Sequence, residues 1–144
     1  MNTFKIEKKV LINSPVEMVF DALTNSKEIP KYYPLLSVVS EWNEGNEVLY
    51  KGEINGAPFT DFGVIEEISK PNIYRYRYWS DNHGTERTEE NHLTIEYKVS
   101  PTADGSEVKV TQSNIKSKEM YEMMEGQVWE YLLNSLKTHL ESRT

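Results

Sequence analysis

The chain has 144 residues and a mass of 16.8 kDa, the size of one domain able to bury a core, or a core plus a cavity. Its 16 lysines and arginines against 23 aspartates and glutamates give a net charge of −7, which repels phosphate backbones and anionic lipid headgroups, and no local basic patch offsets it. Cysteine is absent, which removes disulfides, thiolate metal sites and cysteine nucleophiles and makes the cytoplasm the expected location.

Residues 3–13 predict a first strand, with Phe4, Ile6, Val10 and Ile12 on one side and Lys5, Glu7 and Lys9 on the other. Lys8 breaks the first row and Leu11 the second. The same alternation rules out the unbroken apolar stretch of a signal peptide or a membrane span, so neither nucleic acid nor membrane is an expected partner. Ser14, Pro15 and Glu17 then stand at the N-cap, first-turn and capping-box positions of a short helix whose apolar side is Val16, Val19, Phe20 and Leu23. A second short turn over about 26–31 is closed by Pro30 and Pro34.

Over 35–115 the pattern is strand, turn, strand, with strands expected at 35–43, 47–54, 59–69, 73–80, 90–99 and 106–115. The separators are Asn43-Glu44-Gly45-Asn46, Asn55-Gly56, Lys70-Pro71-Asn72 and Ala103-Asp104-Gly105, of which Asn55-Gly56 is the strongest hairpin signal. The polar stretch 81–90 is long for a hairpin and reads either as a mobile loop, the least ordered part of the chain, or as a strand extension. Over 118–142 the period becomes helical, with Trp129, Leu132, Leu133, Leu136 and Leu140 in one narrow sector. About 24 residues rising about 1.5 Å each make a rod of about 36 Å, long enough to cross a sheet. No repeat, linker or low-complexity run interrupts the chain, so 1–144 is expected to form a single domain.

A helix about 10 Å wide cannot cover one face of a flat seven-stranded sheet, so the sheet is expected to curl around it, with the two short helices plugging one end of the trough. The space between helix and sheet then need not be filled by side chains. The expected class is α+β, a curved seven-stranded antiparallel sheet around a long C-terminal helix with two short helices after strand one. That order resembles the helix-grip architecture of the START-like or SRPBCC superfamily. The resemblance sharpens toward domains similar to the activator of the heat-shock-protein ATPase. It is carried by Ile12-Asn13-Ser14-Pro15 with Val19-Phe20-Asp21-Ala22-Leu23-Thr24, by Gly63-Val64-Ile65-Glu66-Glu67-Ile68 leading to Pro71 and Tyr78-Trp79, by Asp104-Gly105-Ser106 with Val108-Lys109-Val110-Thr111-Gln112-Ser113, and by Trp129 before Leu132-Leu133 and Leu136-Lys137. The segments span nearly the full length in the right order. Two positions depart from the pattern: Tyr32-Tyr33 stands where paired tryptophans are frequent, and Val128 where a glycine precedes the helix tryptophan, with Gly126 two residues earlier. Ligand identity therefore does not carry over.

Candidate site residues follow from the trough. Projecting the helix sector back from Trp129 puts Glu122, Glu125 and Gly126 toward the sheet. Gly126 would leave room and Glu122 or Glu125 would offer a polar contact, unless the helix protrudes past the sheet and its acids are solvated. Strict alternation over 73–79 puts Tyr74, Tyr76 and Tyr78 on one face, inward on the family pattern, and Arg75 and Arg77 on the other, where they either pair with glutamates or bind an anion. Leu93, Ile95, Tyr97 and Val99 with Val108, Val110 and Gln112 form inward rows, against His92, Thr94, Glu96 and Lys98 outward. A buried Gln112 needs partners. Tyr33, Trp42, Phe62 and Trp129 complete an aromatic lining, and Leu133 continues it along the helix.

No catalytic residue, metal site or cofactor is expected. His83, His92 and His139 fall in a loop, on an outward strand face and near the helix end, and no phosphate or dinucleotide fingerprint occurs. The expected function is binding of a small hydrophobic molecule, aromatic or polyketide- or lipid-like, between helix and sheet. One alternative is a small cyclase or hydrolase using a cavity carboxylate such as Glu122, as the superfamily resemblance implies. The branch resemblance implies another, an interaction protein that stimulates a chaperone ATPase, although the full activator carries an additional N-terminal domain for which 144 residues leave no room.

Overall fold

The computed structural model describes residues 3–80 and 85–142. Seven antiparallel strands form one curved sheet: β1 (Phe4–Ile12), β2 (Ser37–Ser40), β3 (Glu47–Ile54), β4 (Ala57–Ser69), β5 (Ile73–Ser80), β6 (Leu93–Thr102) and β7 (Gly105–Ile115), in the spatial order β1-β7-β6-β5-β4-β3-β2. The first two strands thus lie at opposite edges, and the chain between them has to cross the concave face. Helix α1 (Val16–Leu23) and a 3-10 turn (Ile29–Lys31) make that crossing, burying Val19, Phe20, Leu23 and Ile29. The C-terminal helix grips the same face as α2 (Lys118–Met123), a π-helical segment (Met124–Val128) and α3 (Trp129–Glu141). Its lower half packs through Trp129, Leu133, Leu136 and Leu140, all buried. Among the described residues no helix is long and apolar enough to cross a membrane.

Local chemistry accounts for the turns and the curl. Asn55 and Gly56 both take positive φ, 52° and 83°, the backbone of the two-residue turn whose twist matches paired strands, and Ile54 faces Ala57 across it. Two bulges bend the sheet. Asn114 at φ 66° inserts an extra residue into β7 opposite β1, and Glu66 does so in β4 opposite β5. The second bulge brings Glu66 and Glu67 both to Arg75, at 3.2 and 3.1 Å, while Glu96 reaches it at 3.2 Å from the other side. Arg77 pairs with Glu89 at 2.9 Å, so the outward arginines of β5 are cross-linked to glutamates. Lys8, the charge in the inward row of β1, reaches Glu125 of the π segment at 3.0 Å.

Several boundaries differ from the sequence reading. β2 is confined to four residues because the chain turns sharply at Trp42, whose φ is 59°. β6 starts and ends three residues later than 90–99, a 3-10 turn (Glu89–Asn91) occupying its expected start. Ser14 does not cap α1: Pro15 takes the cap position with no side-chain bond. The Ser14 hydroxyl is turned to the Met18 sulfur at 3.9 Å, and its carbonyl accepts from the Ser106 hydroxyl at 2.6 Å. A hydroxyl donated to the Met18 sulfur is not placed to accept from the first backbone N–H groups of the helix. Of the 81–90 expectation, residues 81–84, and with them His83, lie outside the described residues.

Candidate functional site

The inward rows of the sheet are unusually phenolic. Tyr74, Tyr76 and Tyr78 come from β5 by alternation, Tyr97 from β6 and Tyr50 from β3, all buried. Tyr32 and Tyr33 arrive from the segment after the 3-10 turn. The hydroxyls are tied in pairs: Tyr33 with Tyr97 at 2.9 Å and Tyr50 with Tyr74 at 2.8 Å, while the Tyr32 hydroxyl donates to the Ala22 carbonyl at 2.6 Å. The Tyr74 ring is stacked on Tyr76 at 4.8 Å and lies parallel to Tyr97 at 6.1 Å. Burial raises the pKa of these phenols well above the ordinary tyrosine range; at Tyr78 the charge of Asp61 adds to it, and a hydrogen bond from Gln112 partly offsets it.

Between these phenols and the upper half of the C-terminal helix lies a cavity of about 340 Å³, toward the lower end of the range that holds small ligands. The helix side is Met120, Met124, Val128 and Leu132, with Trp129 at the floor. Tyr32, Tyr33, Pro34 and Leu35 close another side. Ile54 and Met123 also line it and are half exposed, so the cavity reaches the surface beside the β3–β4 turn. Among the described residues, Asp61 and Ser80 add polar groups to the lining besides the phenols, and they face each other across β4 and β5.

The π segment explains why the helix presents methionines there. In an α-helix a four-residue step overshoots a full turn by about 40°, so a row such as 120, 124, 128 and 132 drifts off one face. The wider π turn inserts the equivalent of an extra residue and takes that drift back. The projection from Trp129 assumed uninterrupted α-helix, and the structure corrects it at Glu122 and Gly126. The Glu122 side chain is 64% exposed, 4.0 Å from Lys118, and a methyl group on Gly126 would meet nothing within 4 Å.

Of the other expected residues, Tyr33, Tyr76, Tyr78, Tyr97 and Trp129 line the cavity. Leu93, Gln112 and Leu133 are buried behind it rather than in its wall. Gln112 spends its amide on the protein: Nε2 donates to the Tyr78 hydroxyl at 2.8 Å and Oε1 accepts from Trp129 Nε1 at 2.6 Å. Trp42 also stands outside the wall. Its indole donates to the Ser26 hydroxyl at 2.9 Å and its ring meets the edge of Tyr74 at 5.7 Å. Phe62 is on the outer face, against Trp79 at 6.0 Å and under the Arg87 guanidinium at 4.3 Å. Strand parity explains it: Ile65 and Gly63 point inward, so Asp61 and Phe59 do too, and Phe62 cannot. Counting back two residues at a time from Ile65 would have found Asp61; nothing local in the sequence signals the π segment that exposes the methionine row. Among the described residues no group of three histidines, aspartates or glutamates is placed to hold a metal ion.

A curved antiparallel sheet closed over a long helix, with a tyrosine-lined cavity between them, defines a helix-grip protein of α+β class. The chain belongs to the family described as activator of Hsp90 ATPase homolog 1-like protein, whose model matches residues 13–141. It is similar to ChR145 from Cytophaga hutchinsonii, at 30% identity over 97% of this chain and 95% of that one, with a TM-score of 0.82. The fold is shared with NE0264 from Nitrosomonas europaea, at 17% identity over 96% and 95% of the two chains and a TM-score of 0.81. It is shared too with Aha1 from Colwellia psychrerythraea, described as a dimer, at 17% identity over 96% of each chain and a TM-score of 0.78. A search of curated proteins finds no match.

Proposed function

We propose that the protein binds a small, mostly apolar molecule in the cavity between the upper half of its C-terminal helix and the sheet, acting as a single domain in the cytoplasm. The observation that carries this reading is the unfilled volume itself, about 340 Å³, beneath a helix whose lower half packs solidly. Interiors are otherwise close-packed, and an apolar void forfeits contacts on every side unless something occupies it. The wall chemistry supports the reading: flat phenol faces oppose three methionines, whose unbranched side chains mould to irregular guests.

The test is an NMR screen of the isotope-labelled chain against aromatic, polyketide-like and fatty-acid compounds. Binding predicts shifts at Tyr97, Met124 and Trp129 and a melting temperature that rises with ligand, worth about 2.7 kcal/mol at a hundredfold excess over Kd. Perturbations confined to the outer face of the sheet would remove the cavity from consideration.

A second reading, stimulation of a chaperone ATPase, is favoured by the family description. It predicts that the isolated chain accelerates ATP hydrolysis by the chaperone and that surface substitutions, rather than ones in the cavity, abolish the effect. The cyclase or hydrolase alternative transfers from Glu122 to Asp61, the carboxylate that does line the cavity. It predicts turnover that is lost in Asp61→Asn.

A further inference from the structure

The lining phenols differ in where their hydroxyl protons go. Tyr32 gives its proton to the Ala22 carbonyl at 2.6 Å. Tyr50 shares a bond of 2.8 Å with Tyr74, which is buried behind the wall, so the second proton of that pair can sit on either side of the wall. Tyr33 and Tyr97 share a bond of 2.9 Å, and both of them line the cavity. Two hydroxyls carry two protons and the shared bond uses one, so whichever phenol donates, the one that keeps its proton is a lining residue. Burial holds both phenols protonated far above neutral pH, so the pair is a hydrogen-bond donor under ordinary conditions.

The pair is also fixed in place from two sides. Tyr97 stands on β6 with its ring parallel to Tyr74 at 6.1 Å and edge-on to Trp129 at 6.0 Å. Tyr33 comes from the segment after the 3-10 turn, 64 residues away in the chain, and its ring meets Tyr32 edge-on at 4.5 Å. A donor positioned in advance asks little ordering of a ligand, and a phenol whose oxygen already accepts one bond is polarised to donate more strongly. An acceptor oxygen arriving at the pair gains a hydrogen bond. An apolar group in the same place leaves a proton buried without a partner. The phenol and indole faces add a preference for flat guests.

We infer that the Tyr33–Tyr97 hydroxyl pair is the specificity-determining donor of the cavity, selecting flat aromatic molecules that bear an acceptor oxygen, such as a ketone, over hydrocarbons of the same shape. The inference rests on the cavity-binding reading above.

Calorimetric titration of the full chain with 2-acetylnaphthalene and 2-ethylnaphthalene, which differ by little more than the carbonyl oxygen, separates the two ideas. The ketone should bind about threefold to tenfold more tightly than the hydrocarbon, the return on one neutral hydrogen bond. Equal affinities would overturn the donor role while leaving the cavity reading standing, and binding by neither compound would remove the cavity reading itself. Each single variant, Tyr33→Phe or Tyr97→Phe, breaks the bond between the two residues but leaves one hydroxyl with its proton, so the ketone should keep an advantage of at least about twofold. In the double variant neither proton remains and the ratio of affinities should fall to about one. A pair that served only to hold the wall together would lose the preference in the single variants already, so a preference lost in both of them overturns the donor role. A ketone advantage that survives in the double variant overturns the assignment to this pair. If the double variant does not fold, the infrared carbonyl stretch of the bound ketone is read in the single variants. It should differ from the wild-type value in both, since either the donor or its polarising partner is gone, and a stretch unchanged in both overturns the assignment.

Discussion

The indole Nε1 of Trp129 donates to Oε1 of Gln112 across 2.6 Å, between the first residue of α3 and the fully buried inner row of β7. The bond holds the helix in register with the sheet at the floor of the cavity. Gln112 in turn donates to the Tyr78 hydroxyl at 2.8 Å, so one amide serves a helix and a neighbouring strand. Gln112→Leu keeps the volume but strands a buried indole N–H, at a cost of about 1–3 kcal/mol. Thermal unfolding followed by circular dichroism should show a melting temperature lower by roughly 5–10 °C. An unchanged midpoint would mean that the amide contributes no more than a leucine there.

Gly105 is held by backbone rather than by side chains. With φ at 154°, a Cβ built on it would come within 2.4 Å of the Ile12 carbonyl oxygen and 2.7 Å of the Ser14 nitrogen, atoms that cannot rotate away. Gly105→Ala should therefore cost about 3 kcal/mol or more, among the larger single-residue effects. Denaturant titration measures it directly; a loss below about 1 kcal/mol would show that the β1–β7 junction is softer than drawn.

Alternation made most of the sheet legible beforehand, since a period of two assigns every residue of β5, β6 and β7 to a face once one residue is placed. Tyr76, Tyr78 and Tyr97 stand in the cavity wall for that reason, and Arg75 and Arg77 meet glutamates on the other side. Phe62 has the aromatic character of a lining residue but the wrong parity, and the same two-residue count reaches Asp61 instead. Glu122 and Gly126 went astray for a different reason. The π segment changes the residues per turn in mid-helix, and no composition signal marks where a helix will widen. Trp42 lies within the expected strand 35–43, but its positive φ ends β2 and turns its ring against Tyr74, outside the wall. The volume left between the layers depends on side-chain shapes from every layer at once, which a pattern along the chain does not contain.

Solvent-facing placement of Gly126 has its own consequence. Helix interiors disfavour glycine by roughly 0.5–1 kcal/mol relative to alanine, and here nothing stands within 4 Å of the added methyl. Gly126→Ala should raise stability by about that amount, unless the π turn itself needs the glycine. Glu122→Gln, on the same exposed stretch, should leave ligand binding as it is. A loss of binding in either variant would return the helix face to the arrangement expected from an unbroken α-helical projection.

The buried phenols make the fold sensitive to alkali in a way that can be calculated. Tyr32, Tyr33, Tyr50, Tyr74, Tyr76, Tyr78 and Tyr97 all have pKa values raised by burial above the tyrosine range. A raised folded pKa means that the stabilisation is complete below the unfolded value near 10 and is lost as pH climbs toward the folded one, because the unfolded chain releases protons that the folded chain retains. Each such proton lowers stability by about 1.4 kcal/mol per pH unit, so seven together remove on the order of 10 kcal/mol per unit above pH 10. That matches the whole stability of a typical domain. Unfolding should therefore be abrupt within about one to two units above pH 10, with the phenolate absorbance of the buried tyrosines rising in the same step as the loss of circular dichroism. Tyr97→Phe should make the pH dependence shallower by about one proton. If phenolate absorbance from these residues instead grew gradually while the circular dichroism stayed native, hydroxide would have to reach the rings through the cavity mouth in the folded state, and burial would not be holding their protons.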